Sequence, residues 1–161
     1  MVVRLTDREI EALIAERKSV PADFRSRLVT RPKRGHREAM ANVTGADGSR
    51  FVVIVRESEF NPLDFSVILG VILPRSEAVF RLPRYNGRSH VHTNLIERAS
   101  FRDFHVHIAT ERYQQLGRDE ESYAERTSRF QSVQAALDCL FTECGFEFPD
   151  DPQGRLSFGK G

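Results

Sequence analysis

Nowhere does the chain run to 18 consecutive apolar residues, so no segment is expected to cross a bilayer as a helix. Asp7, Arg8, Glu9 and Glu11 stand where a secretory leader would need an uninterrupted apolar run. A soluble, cytoplasmic protein without a membrane partner is the expectation. Cysteine is scarce as well: Cys139 and Cys144 are the only two, and five residues apart on a predicted helix they turn to different sides. That argues against a mutual disulfide. An excess of charge of one sign is also missing, since the net charge is +1, which excludes a positive coat that binds any polyanion. Interdomain linkers and internal repeats are absent too.

What is present suits one ordinary core: 161 residues with 40% hydrophobic content. Residues 1–148 read as a single α+β domain. Residues 149–161, with Pro149, Asp150, Asp151, Pro152, Gly154, Gly159 and Gly161, read as a loosely ordered tail. Leu5-Thr6-Asp7-Arg8-Glu9-Ile10 predicts a helix start, with Thr6 as N-cap, Glu9 closing a capping box and Leu5 stapled onto Ile10. Pro21 requires that helix to end before it. Between residues 27 and 110, short runs of Val, Ile and Phe separated by turn residues predict strands. Asp47-Gly48 suits a turn from a strand near 36–44 into one at 50–57, and Phe65 to Leu73 reads as a central strand ended by Pro74.

From Ser122, where Glu125 offers a second capping box, Tyr123, Phe130, Val133, Leu137, Leu140, Phe141 and Cys144 recur at helical spacing. Glu125 and Arg129 then form an i,i+4 pair, and Gly145 takes the C′ position. The predicted fold is α+β: a mostly antiparallel meander sheet of about six or seven strands, an N-terminal helix, and a long C-terminal helix packed on one sheet face.

Four of the five histidines fall in Ser89-His90-Val91-His92-Thr93 and Phe104-His105-Val106-His107-Ile108. A spacing of two aims both rings of each pair at one face of a strand. In an antiparallel hairpin, the register that sets His92 opposite His105 also sets His90 opposite His107. Asn86-Gly87 predicts a type I′ turn pairing Tyr85 with Arg88, which adds Arg81, Tyr85 and Arg88 to the histidine face. Phe80, Leu82, Val91, Phe104, Val106 and Ile108 would form the opposite, core face.

Three readings are compatible with this pattern. Three imidazoles, or two with Asp103, are a ligand set for zinc or iron, though no residue outside the hairpin is visibly tuned to complete a site, and the metal and any other cofactor stay unassigned. Imidazoles with a guanidinium suit acid/base work on a phosphodiester, with His90, His92, His105 and His107 moving protons and Arg81 or Arg88 holding the phosphate. A solvated sheet face on which histidine recurs gives the same pattern with no chemistry. Known signatures are not met. Two-histidine phosphoesterases need Thr or Ser two positions after each catalytic histidine, but Asn94 and Ala109 stand there, and histidine-triad hydrolases need a third alternating histidine where Asn94 stands. A separate feature is the crowding of Arg25, Arg27, Arg31, Lys33, Arg34 and Arg37 in one stretch, opposed by Asp23 and Glu38. Arg31, Lys33, Arg34 and Arg37 are its candidate nucleic-acid contacts, with Phe24 available for stacking.

The segments Phe80-Arg81-Leu82-Pro83-Arg84-Tyr85-Asn86-Gly87-Arg88-Ser89-His90, His92-Thr93-Asn94, Phe104-His105-Val106-His107, Ala109-Thr110-Glu111-Arg112-Tyr113 and Tyr123-Ala124-Glu125-Arg126-Thr127 resemble a family of uncharacterised bacterial and phage-associated α+β proteins. That resemblance covers about residues 60–145 and implies a fold without implying an activity. More loosely, an Arg-Tyr segment leading into a histidine-rich hairpin is similar to TumE-like toxins of toxin–antitoxin pairs. This second likeness implies a toxin or defence component acting on RNA, with a cognate antitoxin-like protein as partner. The alternative from a different class is a non-enzymatic module that binds a protein or nucleic acid.

Overall fold

The first helix forms where its caps require it. In the computed structural model, which describes residues 4–74, 77–118, 120 and 122–149, α1 spans Asp7–Ala15. Thr6 Oγ1 accepts from Glu9 N at 3.1 Å, and the Glu9 carboxylate accepts from Thr6 N at 2.9 Å. The proposed tail lies outside the described residues except for Pro149.

Seven strands then build one antiparallel sheet: β2 (Arg31–Lys33), β3 (His36–Thr44), β4 (Arg50–Ser58), β5 (Phe65–Ile72), β6 (Val79–Asn86), β9 (His105–Ile108) and β10 (Ala124–Arg126). Their spatial order is β10-β9-β6-β5-β4-β3-β2, so β5 is the central strand, as its two apolar faces predict. Strands β1 (Lys18–Ser19) and β11 (Phe146–Glu147) pair in parallel, while β7 (His92–Asn94) and β8 (Ala99–Phe101) form a separate hairpin. The helices α2 (Glu111–Gln115) and α3 (Val133–Glu143) complete the fold, and α3 packs on β5 and β6. Phe51, Val53, Val55, Val67, Leu69, Tyr85 and Val106 face the core with Leu137, Leu140 and Phe141 of α3. No helix among the described residues is long and apolar enough to cross a membrane.

The expected long C-terminal helix is shorter, and the reason is local. Residues 124–126 pair with residues 105–107 and satisfy the outer edge of β9, so no helix starts at Ser122. The cap is Ser132, whose Oγ accepts from Ala135 N at 3.2 Å. Arg129 reaches Glu143 at 2.8 Å instead of Glu125. Gly145 does take the left-handed C′ position, at φ 75°. Both thiols are unbridged, and burial pushes that of Cys144 up to about 12.

Asn86-Gly87 makes no turn. Asn86 ends β6, and Gly87 N donates to Phe65 O at 3.0 Å, which carries the ladder one step further. A Cβ on Gly87 would stand 1.9 Å from Leu63 O, so glycine is needed here for close backbone approach. The two-residue hairpin with positive φ at both positions is Arg34-Gly35 instead, at 34° and 86°, joining β2 to β3.

Lys18 is completely buried. Its ammonium donates to Leu13 O at 3.0 Å, Ile14 O at 3.0 Å, Glu16 O at 2.7 Å and Cys144 O at 2.7 Å, and it lies 4.3 Å from the centroid of Phe51. One cation thereby closes the C-terminal ends of both α1 and α3. Burial pulls its pKa down to about 8, with the neighbouring Cys144 and Glu16 opposing. Lys18→Met keeps most of the side-chain volume but leaves these carbonyls buried without a donor. We expect it to lower the unfolding free energy by about 3 kcal/mol, read from urea denaturation.

Candidate functional site

The face of the sheet turned away from α3 carries an unbroken polar row. Arg31, Glu38, Arg56, Ser66, Asn86, His105 and Arg126 stand opposite one another in register across all seven strands. The neighbouring row runs Met40, Ile54, Ile68, Arg84, His107 and Ala124. Period-two spacing does place His105 and His107 together on this face.

The partner strand of these histidines differs from the expectation. Residues 88–104 leave the sheet after β6, form the β7–β8 hairpin and return as β9, which pairs directly with β6. His92 therefore stands opposite Phe101 in its hairpin, not opposite His105. Its ring nevertheless lies against both sheet histidines: centroids are 5.7 Å apart for His92–His105, 4.9 Å for His92–His107 and 4.8 Å for His105–His107. His90 is exposed, outside any strand, on the wall of the same cavity.

Arg81, Tyr85 and Arg88 do not join the cluster as expected. Strand β6 takes an extra residue between Arg84, opposite Ile68, and Arg81, opposite Gly70. This bulge includes Pro83, which has no N–H for the ladder. Side-chain alternation is reset across it, so Tyr85 enters the core and Arg84 reaches the polar face. Arg81 is further along and pairs with Glu120 at 3.3 Å. Arg88 lies 6.0 Å from the Phe104 ring and is exposed, as is Val91. The guanidinium that lines the histidine cavity is Arg84, which sequence reasoning missed, and a proline inside a strand pattern was the signal for it.

A cavity of about 230 Å³ joins these groups, lined by Ser66, Arg84, Asn86, His90, His92, His105 and His107 among others. Arg84 Nε donates to Ser66 Oγ at 3.1 Å and Asn86 Oδ1 at 3.0 Å, which braces the guanidinium over the row. Asn94 sets the orientation of His92. Its Nδ2 donates to Ala124 O at 2.7 Å and its Oδ1 accepts from Ala124 N at 2.9 Å, so the amide has one assignment. His92 Nε2, 2.8 Å from that Oδ1, must carry a hydrogen, and Nδ1 is then the basic nitrogen of the neutral ring. The same reasoning applies to His105: Nδ1 donates to Asp103 O at 2.8 Å, so Nε2 accepts from His107 Nε2, 3.2 Å away. No sequence signal marks the role of Asn94.

Burial holds the pKa of His105 below the ordinary histidine value; the hydrogen bond to Asp103 O opposes this, and the charges of His92 and Arg84 reinforce it. Among the described residues, no group of three or more His, Cys, Asp or Glu is disposed to hold a metal ion.

The basic stretch divides. Lys33 lines a second cavity, and Arg31 shares its sheet face. Arg34 sits in the hairpin turn, while Arg37 turns away and donates to Thr30 O at 2.7 Å. Arg25 pairs with Asp138 of α3 and Arg27 with Asp23. Phe24 is buried against Phe141 and Phe146 and is unavailable for stacking on a base.

The class defined by these features is an α+β protein with a histidine-lined cavity on the open face of an antiparallel meander. No protein-family model matches the chain, and no curated protein or solved structure matches it.

A lowered His105 pKa has a definite sign in stability. Between the folded value and the unfolded value near 6.5 the unfolded chain binds more protons, so stability rises with pH through that window. The contribution is complete above about 6.5 and is lost as pH falls toward the folded value. Urea denaturation of wild type and His105→Gln between pH 7.5 and 5 should show the wild type losing more stability on acidification.

Proposed function

We propose that this protein cleaves RNA by transfer of a phosphodiester to the neighbouring 2′-hydroxyl, as a toxin or defence component. The observation that supports this reading best is the presence, in one cavity, of His92, His105 and His107 in ring contact beside the braced guanidinium of Arg84. Acid and base groups near neutral pH, together with a donor fork for the phosphate, are what in-line transfer needs. Arg84 takes the place first given to Arg81 and Arg88.

In the proposed step, His92 Nδ1 takes the proton of the 2′-hydroxyl as O2′ bonds to phosphorus. The P–O5′ bond breaks, and O5′ takes a proton from protonated His107, which His105 holds in place. The products are a 2′,3′-cyclic phosphate and a 5′-hydroxyl. His105 is a positioning residue here, since its bond to Asp103 O sets which nitrogen of His107 carries hydrogen. An arriving phosphodiester supplies the negative charge that favours a protonated imidazole here, offsetting the charge of Arg84 in the same cavity. The looser likeness to TumE-like toxins points to the same substrate.

Purified protein should cut single-stranded RNA and leave the equivalent DNA intact. His92→Ala and His107→Ala should each lower the rate by about 100-fold or more, and Arg84→Gln by a similar factor, with thermal unfolding near that of wild type. Wild-type protein inert toward RNA across pH 5–8, with and without divalent cations, would overturn the proposal.

A further inference from the structure

A second cavity, of about 340 Å³, adjoins the first and shares Asp64, Phe65, Ser66 and Arg84 with it. Three basic side chains converge there on one carboxylate. Glu38, whose side chain is 8% exposed, accepts from Lys33 Nζ at 2.8 Å and Arg56 Nε at 2.7 Å, and His36 Nε2 stands 3.8 Å from it. His36 Nε2 is buried and has no hydrogen-bond partner. The lysine contact, helped by Arg56, holds the Glu38 carboxyl below the ordinary carboxylate range, so it is ionised at neutral pH. It engages one nitrogen on each of two cations. Lys33 and Arg56 keep further N–H groups, and their side chains are 58% and 42% exposed.

We infer that this cavity is an anion subsite for a second phosphate of the same strand, so that the ligand is an extended single-stranded oligonucleotide lying along the polar row. The inference rests on the RNA reading above. Arg56 and His105 belong to one row and are separated by three strand steps, about 14 Å at the usual spacing. That is more than one phosphate step, so a dinucleotide spans too little and a strand of several nucleotides engages both cavities. Arg84 lines both and bridges them. The row runs perpendicular to the strands, where side chains of one face stand level and the pleat offers a continuous path.

Binding separates this subsite from the chemistry. The probe is a fluorescein-labelled 2′-O-methyl RNA hexanucleotide, which lacks the nucleophile, compared with the matching dinucleotide by anisotropy between 50 and 300 mM salt. Wild type should bind the hexanucleotide at least tenfold more tightly. The double variant Lys33→Gln/Arg56→Gln should weaken the hexanucleotide about tenfold, reduce the log–log salt slope by about 0.7 and abolish the advantage of length. Glu38→Gln removes the competing carboxylate and should tighten binding severalfold, an outcome that loss of structure would not give. Equal affinity for both probes, or indifference to Lys33→Gln/Arg56→Gln in a protein that still depends on Arg84, would overturn the subsite and leave the cleavage reading intact. Hexanucleotide binding of the expected kind, with no cleavage of the ribose version, would overturn the enzymatic reading and leave the subsite standing. A wild-type protein that binds neither probe would overturn both.

Discussion

Pro83 brings no N–H to a strand that has partners on both sides, and β6 accommodates it by taking one residue more than β5 opposite. The candidate site depends on that constraint. Without the bulge, strict alternation along β6 could not leave Phe80 and Leu82 in the core on one side of the proline and Tyr85 in the core on the other. With it, Arg84 and Asn86 emerge on the open face beside His107 and His105. Tyr85 at the same time reaches Glu143 of α3 at 2.8 Å, so a single local irregularity anchors the helix layer and arms the opposite face.

The sheet thus serves two purposes on its two faces. One is filled by aromatic and branched side chains and carries the packing energy, with Phe65 stacked on Phe104 and Phe130 meeting Phe65, Phe104 and Tyr85 tilted or edge-on. Among the described residues no helix is laid across the polar row of the other face, where Arg31, Arg56 and Arg126 reach solvent while His105 is buried and the side chain of Glu38 is largely covered. Lys18 lies at the margin of the packed face, against Phe51. It joins α1, the β1–β11 ladder and the end of α3 through carbonyls that would otherwise have no donor. A hydrophobic stem ending in a cation suits a point where helix C-termini, which carry partial negative charge, converge.

The hairpin of residues 92–101 is the part of the site that period-two reasoning could least foresee. Nothing in its own sequence requires His92 to lie over His105 and His107. The position comes from Asn94 bonding both backbone groups of Ala124, on a strand 30 residues away. Residues that orient a ring through the backbone of a distant strand have no local pattern. They are found only when the strand order is known.

Much of this protein follows from short-range rules written in the chain. The capping box at Thr6 and Glu9, the alternation that makes β5 central and the spacing that puts His105 and His107 on one face are each decided within a few residues, because caps and pleats act over that distance. The antiparallel α+β class follows from the same local patterns. Which strand lies beside which was decided only by tertiary structure. Asn86-Gly87 suits a turn as well as a close approach, and only the neighbouring Leu63 carbonyl chooses between them. Residues 124–126 read as helix by spacing and became strand because the edge of β9 needed hydrogen bonds. Arg84 entered the site because a bulge alters alternation by one residue, while Arg81 lies further along β6 and Arg88 follows the point where the chain leaves the sheet.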